Sequence, residues 1–140
     1  APGPFRFLDI ACGDASASVG ALLGTNVAHY RGIDASAAAL DLARASVAAL
    51  PCPATLELGD FVEVLRERPE PADVAWIGLS LHHLRAPGKL DLMRRVRRIV
   101  GDDGIFLIYE DASPDGEDRA GWLRRWDAQQ PSWTAYDADG

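Results

Sequence analysis

The feature that most restricts this chain is a fivefold alternation of short apolar runs with segments of helical spacing. The runs are Phe5–Ile10, residues 27–33, Ala54–Leu58, residues 74–81 and Ile105–Tyr109. Runs this short and this continuous suit strands covered on both faces, whereas half-wet strands alternate apolar with polar residues. Between them, apolar residues recur three or four apart. Residues 35–50 hold eight alanines, with Leu40, Ala43, Val47 and Leu50 on one stripe, and Pro51 stops the helix. Asp14, Ser16 or Ser18 can cap an earlier helix that carries Val19, Leu22 and Leu23 and ends at Gly24. Residues 61–68 give a short helix. After Pro87, Leu90, Met93, Val96 and Val100 share a face while Arg94, Arg95, Arg97 and Arg98 point away as a solvated surface. The pattern predicts a doubly wound, mainly parallel α/β sheet with helices on both faces, with Ile105–Tyr109 at its centre.

A chain of 140 residues can bury one core, so 1–140 reads as one domain. Apolar residues at 48% and charged residues at 25% are those of an ordinary globule and exclude global disorder. Acidic residues outnumber basic ones 21 to 14, for a net charge of -7. Duplex binding depends on cationic neutralisation of phosphates, so no nucleic-acid partner is expected. No apolar stretch approaches the ~20 residues that cross a bilayer, so no membrane partner is expected either. Cys12 and Cys52 are too few for a disulfide scaffold, which makes the cytoplasm the expected location. The start, Ala1-Pro2-Gly3-Pro4, has no initiator Met and no signal core, consistent with an internal portion of a longer chain. A homodimer is left open.

Doubly wound sheets bind ligands beyond the carboxyl ends of the strands, where strand order reverses. Four places therefore carry the chemistry: residues 9–16, Asp34, Asp60 and residues 80–84. The first is a tight turn of small residues opening a helix, where backbone can approach a ligand and amides can face it. Asp34, 21 residues beyond Gly13, suits a carboxylate that accepts ribose hydroxyls. Together they suggest an adenosine-containing cofactor. A dinucleotide would set its pyrophosphate against Asp9 and Asp14, with Arg6 the nearest base in sequence. S-adenosylmethionine instead brings a sulfonium and an ammonium, which two carboxylates favour.

The segment Phe7-Leu8-Asp9-Ile10-Ala11-Cys12-Gly13-Asp14-Ala15-Ser16 resembles the glycine-rich first motif of class I S-adenosylmethionine-dependent methyltransferases. Residues 30–36 resemble that family's second-strand motif, residues 58–61 its acidic turn at the adenine, and residues 79–84 its segment after the fourth strand. Gly101-Asp102-Asp103-Gly104 before the fifth run completes the order over about 105 residues, since residues 7–110 all fall within the pattern. The resemblance implies a Rossmann-like sheet, S-adenosylmethionine as cofactor with S-adenosylhomocysteine as product, and transfer of a methyl group to a small-molecule acceptor. It implies Asp9 and Gly13 at the methionine end, Asp34 at the ribose, and Asp60 with the Phe61 backbone at the adenine. Ala11, Asp14, Ala35 and Leu79 join them as cofactor-binding positions. Ala11 and Ala15 stand where the family commonly has glycine, so this turn must accept two extra Cβ atoms.

His82 and His83 fall where the resemblance puts the transferable methyl group and the acceptor. Either imidazole can take a proton from a hydroxyl or amine near neutral pH. Alignment of acceptor, methyl carbon and sulfonium can itself carry much of the catalysis, and positioning is the first expectation. Cys12 reads as a small turn filler, His29 as incidental, and no metal site is expected, because His82 and His83 are adjacent and no third ligand stands at metal spacing.

Residues 117–128 suit a helix with Trp122, Leu123 and Trp126 close together, ahead of Trp133 and an acidic end. These tryptophans fit a wall over an acceptor and a cover for core equally well, and the last ~25 residues read as part of an acceptor-covering region. The resemblance implies an antiparallel hairpin beside the fifth strand. No further strand is evident after Tyr109, so the expected sheet lacks that hairpin and leaves the fifth strand's edge unpaired. Two other readings keep a place. One is a non-catalytic S-adenosylmethionine-binding module. The other is an NAD-dependent oxidoreductase, which would lack the full G-x-G-x-x-G spacing.

Overall fold

A computed structural model describes residues 3–129. The chain divides into one unit over Ala1–Glu110 and a second over Asp111–Gly140. In the first, the elements run β1 (Phe5–Ile10), α1 (Ser16–Leu22), β2 (Val27–Asp34), α2 (Ala37–Val47), β3 (Ala54–Leu58), α3 (Phe61–Glu67), β4 (Val74–Gly78), a single 3₁₀ turn at Leu81–His83, α4 (Ala86–Val100) and β5 (Ile105–Tyr109). The second holds α5 (Arg119–Gln129), in which the Trp122 and Trp126 rings stack with centroids 5.7 Å apart and the Arg125 guanidinium lies 4.8 Å over Trp122. Trp133 and the acidic end lie outside the described residues.

The sheet is parallel throughout, in the order β3-β2-β1-β4-β5. The chain builds outward from β1 through β2 to β3, then returns to the other side of β1 with β4. Strand order therefore reverses between β1 and β4. One face buries Leu8, Ile10, Ile33, Ala75 and Ile77 against Val64 and Leu65 of α3 and Leu92, Val96 and Ile99 of α4. The other buries Phe7 and Tyr30 against Val19 and Leu22 of α1 and Ala43 and Val47 of α2. Each Val, Leu, Ile or Phe among them contributes about 1.5–3 kcal/mol of burial, which fixes the two helical layers to the sheet.

Five expectations need correction. β5 is an edge strand among the described residues, not a central one, with Ile105 54% and Tyr109 56% exposed. Its apolar run reports burial propensity, whereas the order of crossovers decides its neighbours, and each crossover after β4 moves outward. The buried face of α4 is Leu92, Val96 and Ile99, while Leu90 is exposed, because the helix starts at Ala86 and turns the 92–96–99 stripe to the sheet. β4 stops at Gly78, since Leu79 takes a left-handed φ of 51° that leaves the strand. At the start of α1 the cap position falls to Ala15, without a side-chain cap. Asp14 instead accepts the Ser16 amide at 3.0 Å and the Ser16 hydroxyl at 2.7 Å, one residue early. The second helix is shorter than expected because Ser36 caps it, its hydroxyl accepting the Ala39 amide at 3.2 Å.

Candidate functional site

The turn after β1 alternates left-handed residues: Ala11 at φ 58°, Gly13 at 56° and Ala15 at 59°. Left-handed backbone costs a residue with a Cβ about 1–2 kcal/mol, so this turn must be held by bonds elsewhere. The Cys12 amide donates to the Ile33 carbonyl at 3.0 Å and the Ala15 amide to the Cys12 carbonyl at 2.9 Å. The Gly13 amide donates to Asp34 Oδ2 at 2.8 Å, so it is committed within the protein and not left open toward a ligand.

Asp34 ends β2 and ties three segments together. Oδ2 holds Gly13, Oδ1 accepts the Ser36 amide at 2.8 Å, and the Asp34 carbonyl accepts the Gly59 amide at 2.9 Å. A carboxylate offers about four lone-pair sites, so each oxygen keeps one for a further donor. Ala35 follows as the link into the Ser36 cap. At the end of β3, Asp60 caps α3, with Oδ1 accepting the amides of Val62 at 2.8 Å and Glu63 at 3.3 Å, and Phe61 is the first helical residue.

Asp9 is nearly buried, 2% exposed, on β1. Its Oδ2 accepts Tyr30 Oη at 2.6 Å and also the Ser18 hydroxyl. Burial pushes the Asp9 carboxyl above its ordinary range despite these two bonds. Burial, then the Asp9 charge, drives the Tyr30 phenol up as well, so Tyr30 acts as a donor. The Cys12 thiol is pushed up to about 12 by burial and by the charges of Asp9 and Asp34, which makes it inert. Asp14 sits below the usual carboxylate range through its bonds from the Ser16 amide and hydroxyl.

Above these groups lies a cleft of about 230 Å³. Asp9, Ala11, Cys12, Asp14, Ala17 and Ser18 form its β1 side, and Trp76, Gly78, Leu79 and Tyr109 its β4–β5 side. Its charged lining consists of two carboxylates, with no Lys or Arg among the lining residues. Arg6, the nearest base in sequence, is committed to Asp73, to which Nε and Nη2 each donate at 2.9 Å.

His82 and His83 occupy the 3₁₀ turn after β4, with ring centroids 4.2 Å apart. Glu110, directly after β5, faces them: Oε2 lies 2.9 Å from His82 Nδ1 and Oε1 accepts the Leu81 amide. Burial raises the Glu110 carboxyl, but the bonds from His82 and from the Leu81 amide outweigh it and hold it below its usual range. An ionised carboxylate only accepts, so His82 Nδ1 carries the hydrogen, and in the neutral ring this leaves Nε2 as the acceptor. Among the described residues no such carboxylate contact forms at His83. Among the described residues no three His, Cys, Asp or Glu groups stand at metal-binding spacing, and no helix is long and apolar enough to cross a membrane.

The structure thus brings Asp9, Ala11, Asp14 and Leu79 to one cleft and joins Gly13 to Asp34. It sets Asp60 and Phe61 at the next strand end and His82 at the far side. Sequence reasoning missed Tyr30, Ser18, Trp76, Tyr109 and Glu110. Glu110 was within reach, because it is an acid at a strand's carboxyl end, as Asp34 is.

A family model described as a methyltransferase domain matches residues 7–104. No curated protein sequence matches the chain. Among solved structures, the cyclopropane synthase MmaA2 from Mycobacterium tuberculosis aligns at TM-score 0.70 and 19% identity, over 90% of this chain and 46% of that one. An S-adenosylmethionine-dependent methyltransferase from Mesorhizobium loti aligns at TM-score 0.60 and 26% identity, over 77% of this chain and 48% of that one. The glycopeptide N-methyltransferase MtfA, complexed with S-adenosylhomocysteine, aligns at 0.60 and 23%, over 77% and 46%. The chain spans about half the length of these structures, and the likeness to the two below 25% identity concerns the fold. With more than half of its residues matched by the family model, the chain belongs to the methyltransferase domain family.

Proposed function

We propose that this chain binds S-adenosylmethionine and transfers its methyl group to a small-molecule acceptor. The observation that carries the reading is the cleft at the β1–β4 reversal, whose charged lining is Asp9 and Asp14 alone. Such a lining favours a ligand with two cationic centres and opposes a pyrophosphate. The adenosine-binding strand ends, Asp34 and Asp60, stand beside it in sheet order, and the structures it resembles include S-adenosylmethionine-dependent enzymes. When bound, the cofactor supplies a methyl group activated by its sulfonium.

In this reading Asp9 and Asp14 attract the ammonium. Ala11 and Gly13 bring backbone close to the methionine end. Asp34 accepts the ribose hydroxyls on its two remaining lone-pair sites, with Ala35 beside it. Asp60 Oδ2 and the Phe61 backbone meet the adenine, and Leu79 walls the cleft. Trp76 and Tyr109 exclude water from the β4–β5 side. His82 takes a proton from the acceptor at Nε2, and Glu110 is a positioning residue that holds the tautomer and then stabilises the imidazolium. His83 packs on His82 and lines the acceptor side. The protein is cytoplasmic in this reading.

The test is calorimetric titration with S-adenosylmethionine, S-adenosylhomocysteine and NAD, followed by methyl-release assays on panels of small hydroxyl and amine acceptors. Binding of the first two with turnover is expected. Binding without turnover on any panel selects a non-catalytic module, and NAD binding alone selects an oxidoreductase. Once turnover is found, His82→Gln should lower kcat by roughly 10²–10⁴-fold with little change in cofactor affinity. An unchanged kcat would leave positioning as the whole of the catalysis.

A further inference from the structure

We infer that the cleft between α3 and α4 is a second ligand site, for a phosphate monoester carried on a small apolar body. In a chain of net charge -7, α4 concentrates Arg94, Arg95, Arg97 and Arg98 within five residues. They do not form one solvated stripe. With Leu92, Val96 and Ile99 buried, helical steps of about 100° put Arg95 and Arg98 on one flank and Arg97 on the other. Arg97 turns to the helix end, where it bonds the Gly101 carbonyl and Asp102. Arg95 and Arg98 meet Arg66 of α3 across a cleft of about 280 Å³, whose remaining lining is Leu65, Pro69 and Ile99.

Three guanidinium groups thus line a space that no carboxylate lines among the described residues. Arg66 pairs with Glu63 of its own helix, and Arg95 with Asp91 at 2.7 Å, also of its own helix. Arg98 has no acidic partner among the described residues. Pairs between neighbours on one helix contribute little, so an incoming dianion can displace them. Guanidinium forks match phosphate oxygens in pairs, and the buried Leu65 and Ile99 give the rest of the ligand an apolar floor.

This place is distinct from the site described above. The helices return antiparallel to the strands, so the C-terminal turns of α3 and α4 lie toward the strands' amino ends. The Ile99 carbonyl accordingly accepts the Ala72 amide, two residues before β4. Asp34, Asp60 and Glu110 all belong to the opposite end.

The experiment is a heteronuclear NMR titration of the chain with phenyl phosphate, inorganic phosphate and phenol at low salt. Saturable binding of phenyl phosphate is expected, with amide shifts confined to residues 65–69 and 95–99. Inorganic phosphate should bind more weakly and phenol not at all. Arg98→Gln and, on the other helix, Arg66→Gln should each weaken phenyl phosphate at least tenfold while leaving the spectrum elsewhere and S-adenosylmethionine binding unchanged. Absence of saturation, shifts centred on another surface, or an affinity unchanged from the parent in either variant overturns the proposal. Tighter binding of a hexaglutamate peptide than of phenyl phosphate also overturns it, in favour of a protein-docking face.

Discussion

Replacing Asp34 by alanine removes one carboxylate that holds two loops and, in the proposed complex, a sugar. The Gly13 and Ser36 amides each donate to it at 2.8 Å. Hydrogen bonds to charged groups contribute about 1.5–3 kcal/mol each in protected settings. Asp34 is half-buried, so water recovers part of this, and about 1–1.5 kcal/mol per bond is the working figure. The unliganded variant should therefore lose about 2–3 kcal/mol, or roughly 10 °C in Tm for a chain of this size. Loss of the ribose contact adds about 1.5–3 kcal/mol to the binding free energy, a roughly 10- to 150-fold weaker Kd for S-adenosylmethionine. Urea unfolding without ligand measures the first quantity and calorimetric titration the second. Asp34→Asn keeps one acceptor oxygen and should restore about half of the stability. A stability within about 0.5 kcal/mol of the parent would show that the two amide bonds carry no net energy, and an unchanged Kd would reject the ribose role.

Three further outcomes follow from the turn and its buried acid. Burial holds the Asp9 carboxyl above its ordinary value, so the folded chain binds more protons than the unfolded one, and stability falls as pH rises through that interval. Asp9→Asn, whose carbonyl oxygen still accepts from Tyr30 and Ser18, should then be more stable than the parent near pH 8 and lose that advantage below about pH 4, while binding S-adenosylmethionine more weakly. Thermal unfolding across pH checks this, and a variant less stable near pH 8 contradicts it. Ala11→Gly should stabilise by about 0.5–1 kcal/mol, since it relieves a φ of 58° at a partly exposed site. Ala15→Gly relieves the same strain but gives up a methyl group that is 2% exposed, worth about 0.8 kcal/mol, and should be nearly neutral in urea unfolding. Equal effects at both positions would show that burial at Ala15 plays no part.

Local sequence alone determined the kinds and order of the elements. Strand runs, the alanine-rich stripe before Pro51 and the acids at strand ends are written within windows of a few residues, because backbone periodicity and capping act over that range. Asp9, Asp34 and Asp60 were placed at or just past strand ends this way, and the pair of histidines just after β4. What tertiary structure decided was every question of partner. β5 became an edge strand although its residues match those of a central one, because crossover order and not hydrophobicity assigns neighbours. Asp9 acquired Tyr30 and Ser18 as bond donors from 21 and 9 residues away. His82 acquired Glu110 from 28 residues away. The arginines of α4 parted to two flanks once packing chose which stripe faced the sheet. Such choices depend on which surfaces exclude water together, a property of the whole packed chain that no short window contains.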